Sequence, residues 1–238
     1  MERIRKALDE SEDEKLQTEY IRAGAPANLA EALLPRNLPR LLDFVINGVV
    51  GIYGVPSAFL VRELLGVDDV SSQGEVLLLH AEQVIADCKT LLQLEVDQSK
   101  FAETPFIYKA IDAFEQGHEE AAQVLVTLTL DSLIPKLISN KNELKRMIKK
   151  REDSQSPIST DIQNLAKMQA WLPVWNANAE FWVRREDPIP MFYDRHATVH
   201  AVSSIQYTRV NCLRALLLVT GILFFDASTS KDWGFILK

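Results

Sequence analysis

Histidine is the side chain best suited to moving protons near neutral pH, and this 238-residue chain has four of them: His80, His118, His196 and His200. His80 and His118 stand singly within helical patterns, where a core or boundary position with a satisfied hydrogen bond is the expectation. The other two are different. His196 and His200 are four positions apart, Arg195 directly precedes them, and the proline-rich break Asp187 to Pro190 lies just upstream. On a helix this spacing sets both imidazoles on one face. The guanidinium sits about a quarter turn away, on a side chain long enough to reach back. Two ordinary readings compete with proton transfer. Arg195 and His200 can simply cap and bridge helices, and His196-x-x-x-His200 also has the spacing of two zinc ligands. Against zinc, Ala197 stands where a helical zinc protease carries its glutamate and no third ligand is evident, so no metal or other cofactor is expected. Gly-rich phosphate loops, a G-x-S-x-G elbow and a nucleophilic cysteine setting are not found in the sequence.

Arg195-x-x-x-x-His200, with a polar residue directly after the arginine, resembles the R-x(4–6)-H signature of HEPN domains, helical bundles of prokaryotic toxin, abortive-infection and CRISPR-associated systems. The stretch IPMFYDRHATVHAVSSIQYTRVNCLRALLLVTGIL is similar to the end of bacterial HEPN-like proteins. The earlier AIDAFEQGHEEAAQVLVTLTLDSLI is similar to their long second helix. The resemblance implies metal-independent RNA cleavage, in which a ribose 2′-hydroxyl attacks the neighbouring phosphate. That reaction needs a base, an acid for the departing 5′-oxygen and positive charge for the crowded phosphorane, roles open to imidazole and guanidinium. His200 is then the general acid/base, Arg195 the cation facing the transition state, and His196 an orienting or secondary group. The resemblance also implies a homodimer that brings two motifs together. Because a freely active ribonuclease is toxic, restraint by an antitoxin or other regulatory partner is expected, and nothing in the sequence identifies it. A non-enzymatic module of the same fold, binding RNA, a nucleotide or a protein, is the alternative. Asp194 and Asp131 are both candidates to orient Arg195, and sequence does not choose between them.

The run KNELKRMIKKR is the one local concentration of positive charge. Lys145, Arg146, Lys149 and Lys150 are the candidates for an RNA backbone contact. Lys141, Lys145 and Lys149 repeat every four residues and would share a helical face; a solvated helix end, where cations favour the dipole, explains them equally simply. Trp171, Trp175 and Trp182 share helical spacing, which points to core packing rather than base stacking.

The elements carrying these residues read as all-α. Residues 1–70 form an N-terminal helical subdomain or lid, and 71–238 an antiparallel HEPN-like helical bundle. The first helix is expected over Glu2 to Arg22, and Gly48 to Tyr53 is the one candidate strand. Pro56 suits the first turn of a helix ending at Gly66. Ser72-Gln73-Gly74-Glu75 has capping-box spacing ahead of a helix to about Val96. Thr104-Pro105 opens a long helix bearing Ile107, Ile111, Phe114, His118, Ala121, Leu125 and Leu128, until Pro135 bends or ends it. Thr160 or Asp161 starts another, Pro173 opens a further segment, and a second capping box, Ser203 to Gln206, precedes the last long helix.

Composition agrees with a globular chain: 47% of residues are apolar and 25% charged. With 26 basic against 33 acidic residues the net charge is −7, so bulk charge repels polyanions and RNA contact requires a local basic surface. Cys88 and Cys212 fit neither a disulfide framework nor a zinc site. The N-terminal residues lack the apolar middle of a secretory signal. Phe44 to Val61 is interrupted by polar residues and glycines, and Ala215 to Phe225 is too short to span a bilayer. A cytoplasmic protein without a membrane segment is the expectation.

Overall fold

The computed structural model describes residues 15, 18–21, 25–33, 37–138, 140–150, 156, 158 and 164–229. Among these residues the protein is all-α. The helices are α1 (Ala27–Ala32), α2 (Leu38–Asn47), α3 (Ala58–Gly66), α4 (Val70–Leu79), α5 (Ala81–Leu94), α6 (Thr104–Glu115), α7 (Glu119–Leu137), α8 (Lys141–Met147), α9 (Leu165–Asn176), α10 (Arg195–His200) and α11 (Arg209–Ser228), with a 3-10 turn at Val183–Arg185. Of the first helix expected from sequence, only 15 and 18–21 are described, and they are helical; its remainder and the start at Thr160 or Asp161 lie outside the described residues.

The packing is organised by α11. Its sequence is apolar on every face, and such a helix is stable only when surrounded. Helices α4, α5, α6, α7 and α9 all pack on it, and Cys212 to Leu223 are buried without interruption. This helix has the length and apolarity to cross a membrane, with 83% of its most apolar window buried inside the protein, as in a core helix. Residues from both ends of the chain, Tyr20 to Phe225, join one buried apolar cluster.

The candidate strand is an extended segment without a sheet. Asn176 Nδ2 donates to the carbonyls of Ile46 (3.0 Å) and Gly48 (2.7 Å), and Asn28 Nδ2 to those of Ile52 (3.0 Å) and Pro56 (2.7 Å). Within the segment, the Gly48 and Ile52 carbonyls thus find in two asparagine amides the donors that a neighbouring strand would otherwise supply. The segment lies directly against α11: a Cβ on Gly51 would come within 2.9 Å of the Leu217 carbonyl oxygen, which is why glycine stands there.

Several local expectations are corrected. The long helix from Thr104 divides at Gly117, whose φ of +79° turns the chain back, so α6 and α7 form an antiparallel pair. The seven-residue stripe therefore ends at Phe114: His118 and Ala121 are exposed, and Leu128 is half exposed. The face of α7 that packs inward is Ala122, Val126, Leu130, Leu133 and Leu137. Ser72 does not cap α4. Asp69 does, its carboxylate accepting the N–H groups of Ser71 and Ser72, and the helix expected to run to Val96 is interrupted at His80. The second capping box is a turn, and Thr208 caps α11 instead. Pro173 lies inside α9 rather than opening a new helix.

Candidate functional site

Helix α10 contains only six residues, well below the length at which a helix is stable by itself, and it carries Arg195, His196 and His200. Three attachments hold it. Asp194, almost wholly buried, accepts the N–H of Ala197 at 2.6 Å as the N-cap. The Arg195 N–H donates to the Ala177 carbonyl at 2.7 Å. Beneath, Gln206 ties the whole corner together. Its Oε1 accepts from Asp194 N–H (3.0 Å) and Thr198 Oγ1 (3.2 Å), while its Nε2 donates to the carbonyls of Pro190 and Phe192, both at 3.0 Å. Gln123, from α7, donates to Thr198 Oγ1 and to the Gln206 carbonyl, each at 3.1 Å. Gln206, Gln123 and Thr198 are buried polar residues.

On the outer side of α10 the Arg195 guanidinium meets α7. Nε and Nη2 donate to the two oxygens of Asp131 in a bidentate pair, and both side chains keep 23% of their surface exposed. Asp131 is therefore the carboxylate that orients Arg195, while Asp194 caps the helix. The third arm, Nη1, lies 2.9 Å from His196 Nδ1. Because a guanidinium can only donate, Nδ1 accepts, and the imidazole proton sits on Nε2, 3.3 Å from the Ile148 carbonyl. Burial, and then the Arg195 charge, hold the His196 pKa below its usual value. His196 is thereby fixed as a neutral spacer with both nitrogens engaged. The His200 ring stacks beyond it, with centroids 6.3 Å apart and planes 17° apart. His200 is solvent-exposed. A chain of groups thus runs Asp131, Arg195, His196, His200, from the wall of the bundle to solvent.

The cap itself is unusual electrostatically. Burial lifts the Asp194 pKa to about 6, although the N–H groups of Ala197 and His196 and the Arg195 charge pull the other way.

The basic segment adjoins this site through Ile148. Lys145 and Arg146 are exposed on α8, and Lys149 is exposed beyond its end. The four-residue lysine repeat does not make one helical face, because α8 stops at Met147. Lys150 turns inward: its amine donates to Asn176 Oδ1 at 2.6 Å and lies 4.7 Å from the centre of the Trp175 ring. The backbone of Lys150 bridges to Ala179, with Lys150 N–H on the Asn178 carbonyl and Glu180 N–H on the Lys150 carbonyl. Trp171 and Trp175 are core residues, as their spacing predicts, whereas Trp182 lies outside α9 and is 50% exposed. His80 packs edge-on against Phe59 at a helix junction, and His118 is exposed in the turn before α7.

The sequence reading missed Gln206, Gln123 and Thr198. Gln206 carried the signature of a capping box, and nothing in a single sequence marks a glutamine as buried. Compared with known protein families, characterised proteins and solved structures, the chain matches none.

Proposed function

We propose that this protein is a metal-independent endoribonuclease of HEPN type, cutting RNA by attack of a 2′-hydroxyl on the adjacent phosphate. The observation that carries the reading is the arrangement on α10: an exposed imidazole, His200, and a guanidinium, Arg195, joined through His196 on one short rigid element. His200 moves the proton. Of the five N–H groups on Arg195, Asp131 and His196 take three, which leaves two for phosphate oxygens. His196 keeps the guanidinium and the outer imidazole at fixed separation. Lys145, Arg146 and Lys149 supply local attraction for an acidic molecule's polyanionic substrate. One such constellation lacks a second proton-transfer group, so the working unit of this proposal is a homodimer. Leu128 and Val202, exposed beside α10, offer apolar surface for pairing. A role in toxin action or antiviral defence, in the cytoplasm and under a restraining partner, belongs to the same proposal.

A second reading rests on a specific observation: Asp131 neutralises much of the Arg195 charge, which suits a module that binds RNA, a nucleotide or a protein without cutting. Incubation of single-stranded and transfer RNA with the wild type, His200→Ala and Arg195→Ala, with chelator present, separates the two. Cleavage leaving 2′,3′-cyclic phosphate ends, reduced about a hundredfold or more in both variants, supports the nuclease. Equal cleavage by all three proteins, or none by any, ends it.

A further inference from the structure

The basic segment and α10 meet a third element that the nuclease reading leaves unused. Past the backbone bridge between Lys150 and Ala179, the chain runs into a surface turn that holds Trp182. This side chain is half exposed, whereas Trp171 and Trp175 are buried. The turn beneath it is anchored: the backbone N–H of Trp182 donates to Asp187 Oδ2 at 2.7 Å. Arg185 pairs with that same carboxylate at 3.1 Å and with Glu180 at 3.6 Å. The Arg185 guanidinium thereby lies 5.7 Å from the centre of the indole ring. An exposed aromatic plane already ordered, with a cation stacked against it, loses little conformational freedom when a second flat group arrives.

The surroundings narrow what that group is. Glu180, Glu186 and Asp187 offset Arg184 and Arg185 within the turn, so the turn itself does not draw in phosphate. The attraction comes from the other side of the bridge, where Lys145, Arg146 and Lys149 are exposed and pair with no carboxylate among the described residues. A ligand that satisfies both parts has a flat, uncharged face and a separate anionic backbone. Single-stranded nucleic acid has both, while a duplex hides its base faces in the stack. The Trp182 turn is tied to the site: Ala177, five residues before Trp182, accepts from Arg195 N–H, and Ile148, two before Lys150, accepts from His196.

Resting on the RNA reading above, we infer that Trp182, backed by Arg185, is a stacking platform for one unpaired base of single-stranded RNA whose phosphates cross Lys145, Arg146 and Lys149. The platform is a binding residue and takes no part in the chemistry.

The test is fluorescence anisotropy of a short labelled oligoadenylate with full-length His200→Ala protein, so that cutting does not obscure binding. Adding Trp182→Ala is expected to weaken binding about five- to a hundredfold, the span of one lost base stack. Trp182→Phe is expected to restore most of it, and a double-stranded RNA of the same length is expected to bind independently of position 182. Circular dichroism checks that the variants remain folded. Equal dissociation constants with and without Trp182 overturn the inference. Cleavage by the wild type is scored separately on the same oligonucleotide. Cutting with Trp182-independent binding removes the platform and leaves the nuclease, and Trp182-dependent binding without cutting does the reverse.

Discussion

Asp131 and Arg195 stand 64 positions apart in the chain and meet in a bidentate pair that joins the middle of α7 to the first residue of α10. The pair is partly buried, so removing one partner strands a charge in a poorly solvated place. Asp131→Asn is expected to lower stability by about 1–2 kcal/mol, read as a shift in the urea midpoint. Replacing both residues, as Asp131→Asn with Arg195→Gln, is expected to cost less than the sum of the single changes. Additive losses would show that the two side chains do not depend on each other.

Stability and activity are expected to part company at the two histidines. His200 is exposed and makes no side-chain hydrogen bond among the described residues, so His200→Ala belongs with surface substitutions worth within about 0.5 kcal/mol while abolishing cleavage. His196 is wedged between Arg195 and the Ile148 carbonyl, and His196→Ala is expected to cost about 1–2 kcal/mol for the two lost bonds. Thermal unfolding of both variants beside the RNA assay checks the split. A His200→Ala variant that melts as early as His196→Ala would place His200 in the fold, not in the chemistry.

How far the sequence carried the site follows from which interactions are local. Arg195, His196 and His200 are neighbours on one helix, so their spacing alone brought them together. The break at Asp187 to Pro190 and the all-α class were legible for the same reason. Asp131 was one of two candidates because a carboxylate next to the arginine in sequence, Asp194, is as plausible as one across the bundle. Tertiary packing decides by bringing Asp131 of α7 onto Arg195, while Asp194 makes the local N-cap bond to Ala197. Lys150 belonged to a charge run by composition, yet the bridge to Ala179 turns it onto Trp175. The extended segment at Gly48 to Tyr53 had the composition of a strand, and asparagines more than 20 and 100 positions away replaced its partner strand.

Asp194 makes the stability of the protein depend on pH with a defined sign. Its folded pKa, about 6, lies above the value of about 4 for a free aspartate, so the folded state binds the proton more tightly than the unfolded one. Its contribution to stability is therefore full below pH 4 and is lost as pH rises through 6. Other groups act oppositely: Glu103 and Glu119 have lowered values through bonds to Lys136 and Ser132, and to a backbone N–H and Arg209, and His196 is lowered by burial. The difference between wild type and Asp194→Asn isolates the aspartate. From pH 4 to pH 7 the wild type is expected to lose about 2–3 kcal/mol relative to the variant, measured as urea midpoints at each pH. A constant difference across that range would mean that the carboxylate keeps an ordinary pKa.

Gln206 is the residue on which the corner under α10 depends most. It is fully buried, and its side-chain amide serves four partners along the stretch from Pro190 to Thr198: Asp194 and Thr198 on one side, and the Pro190 and Phe192 carbonyls on the other. Each end of the amide has the polarity its neighbours require. Gln206→Glu keeps the size of the side chain and replaces the donating Nε2 with an oxygen that faces two carbonyl oxygens, so it is expected to destabilise more than Gln206→Ala. The alanine variant leaves buried donors and acceptors without partners, at about 2–4 kcal/mol in all. The glutamate variant adds electrostatic repulsion, relieved when the carboxyl takes up a proton and regains a donor. Its stability deficit relative to wild type is therefore expected to shrink from pH 8 to pH 5, whereas that of Gln206→Ala stays level. Melting of the three proteins at both pH values decides it, and a glutamate variant indifferent to pH would mean that the amide does not face those carbonyls in solution.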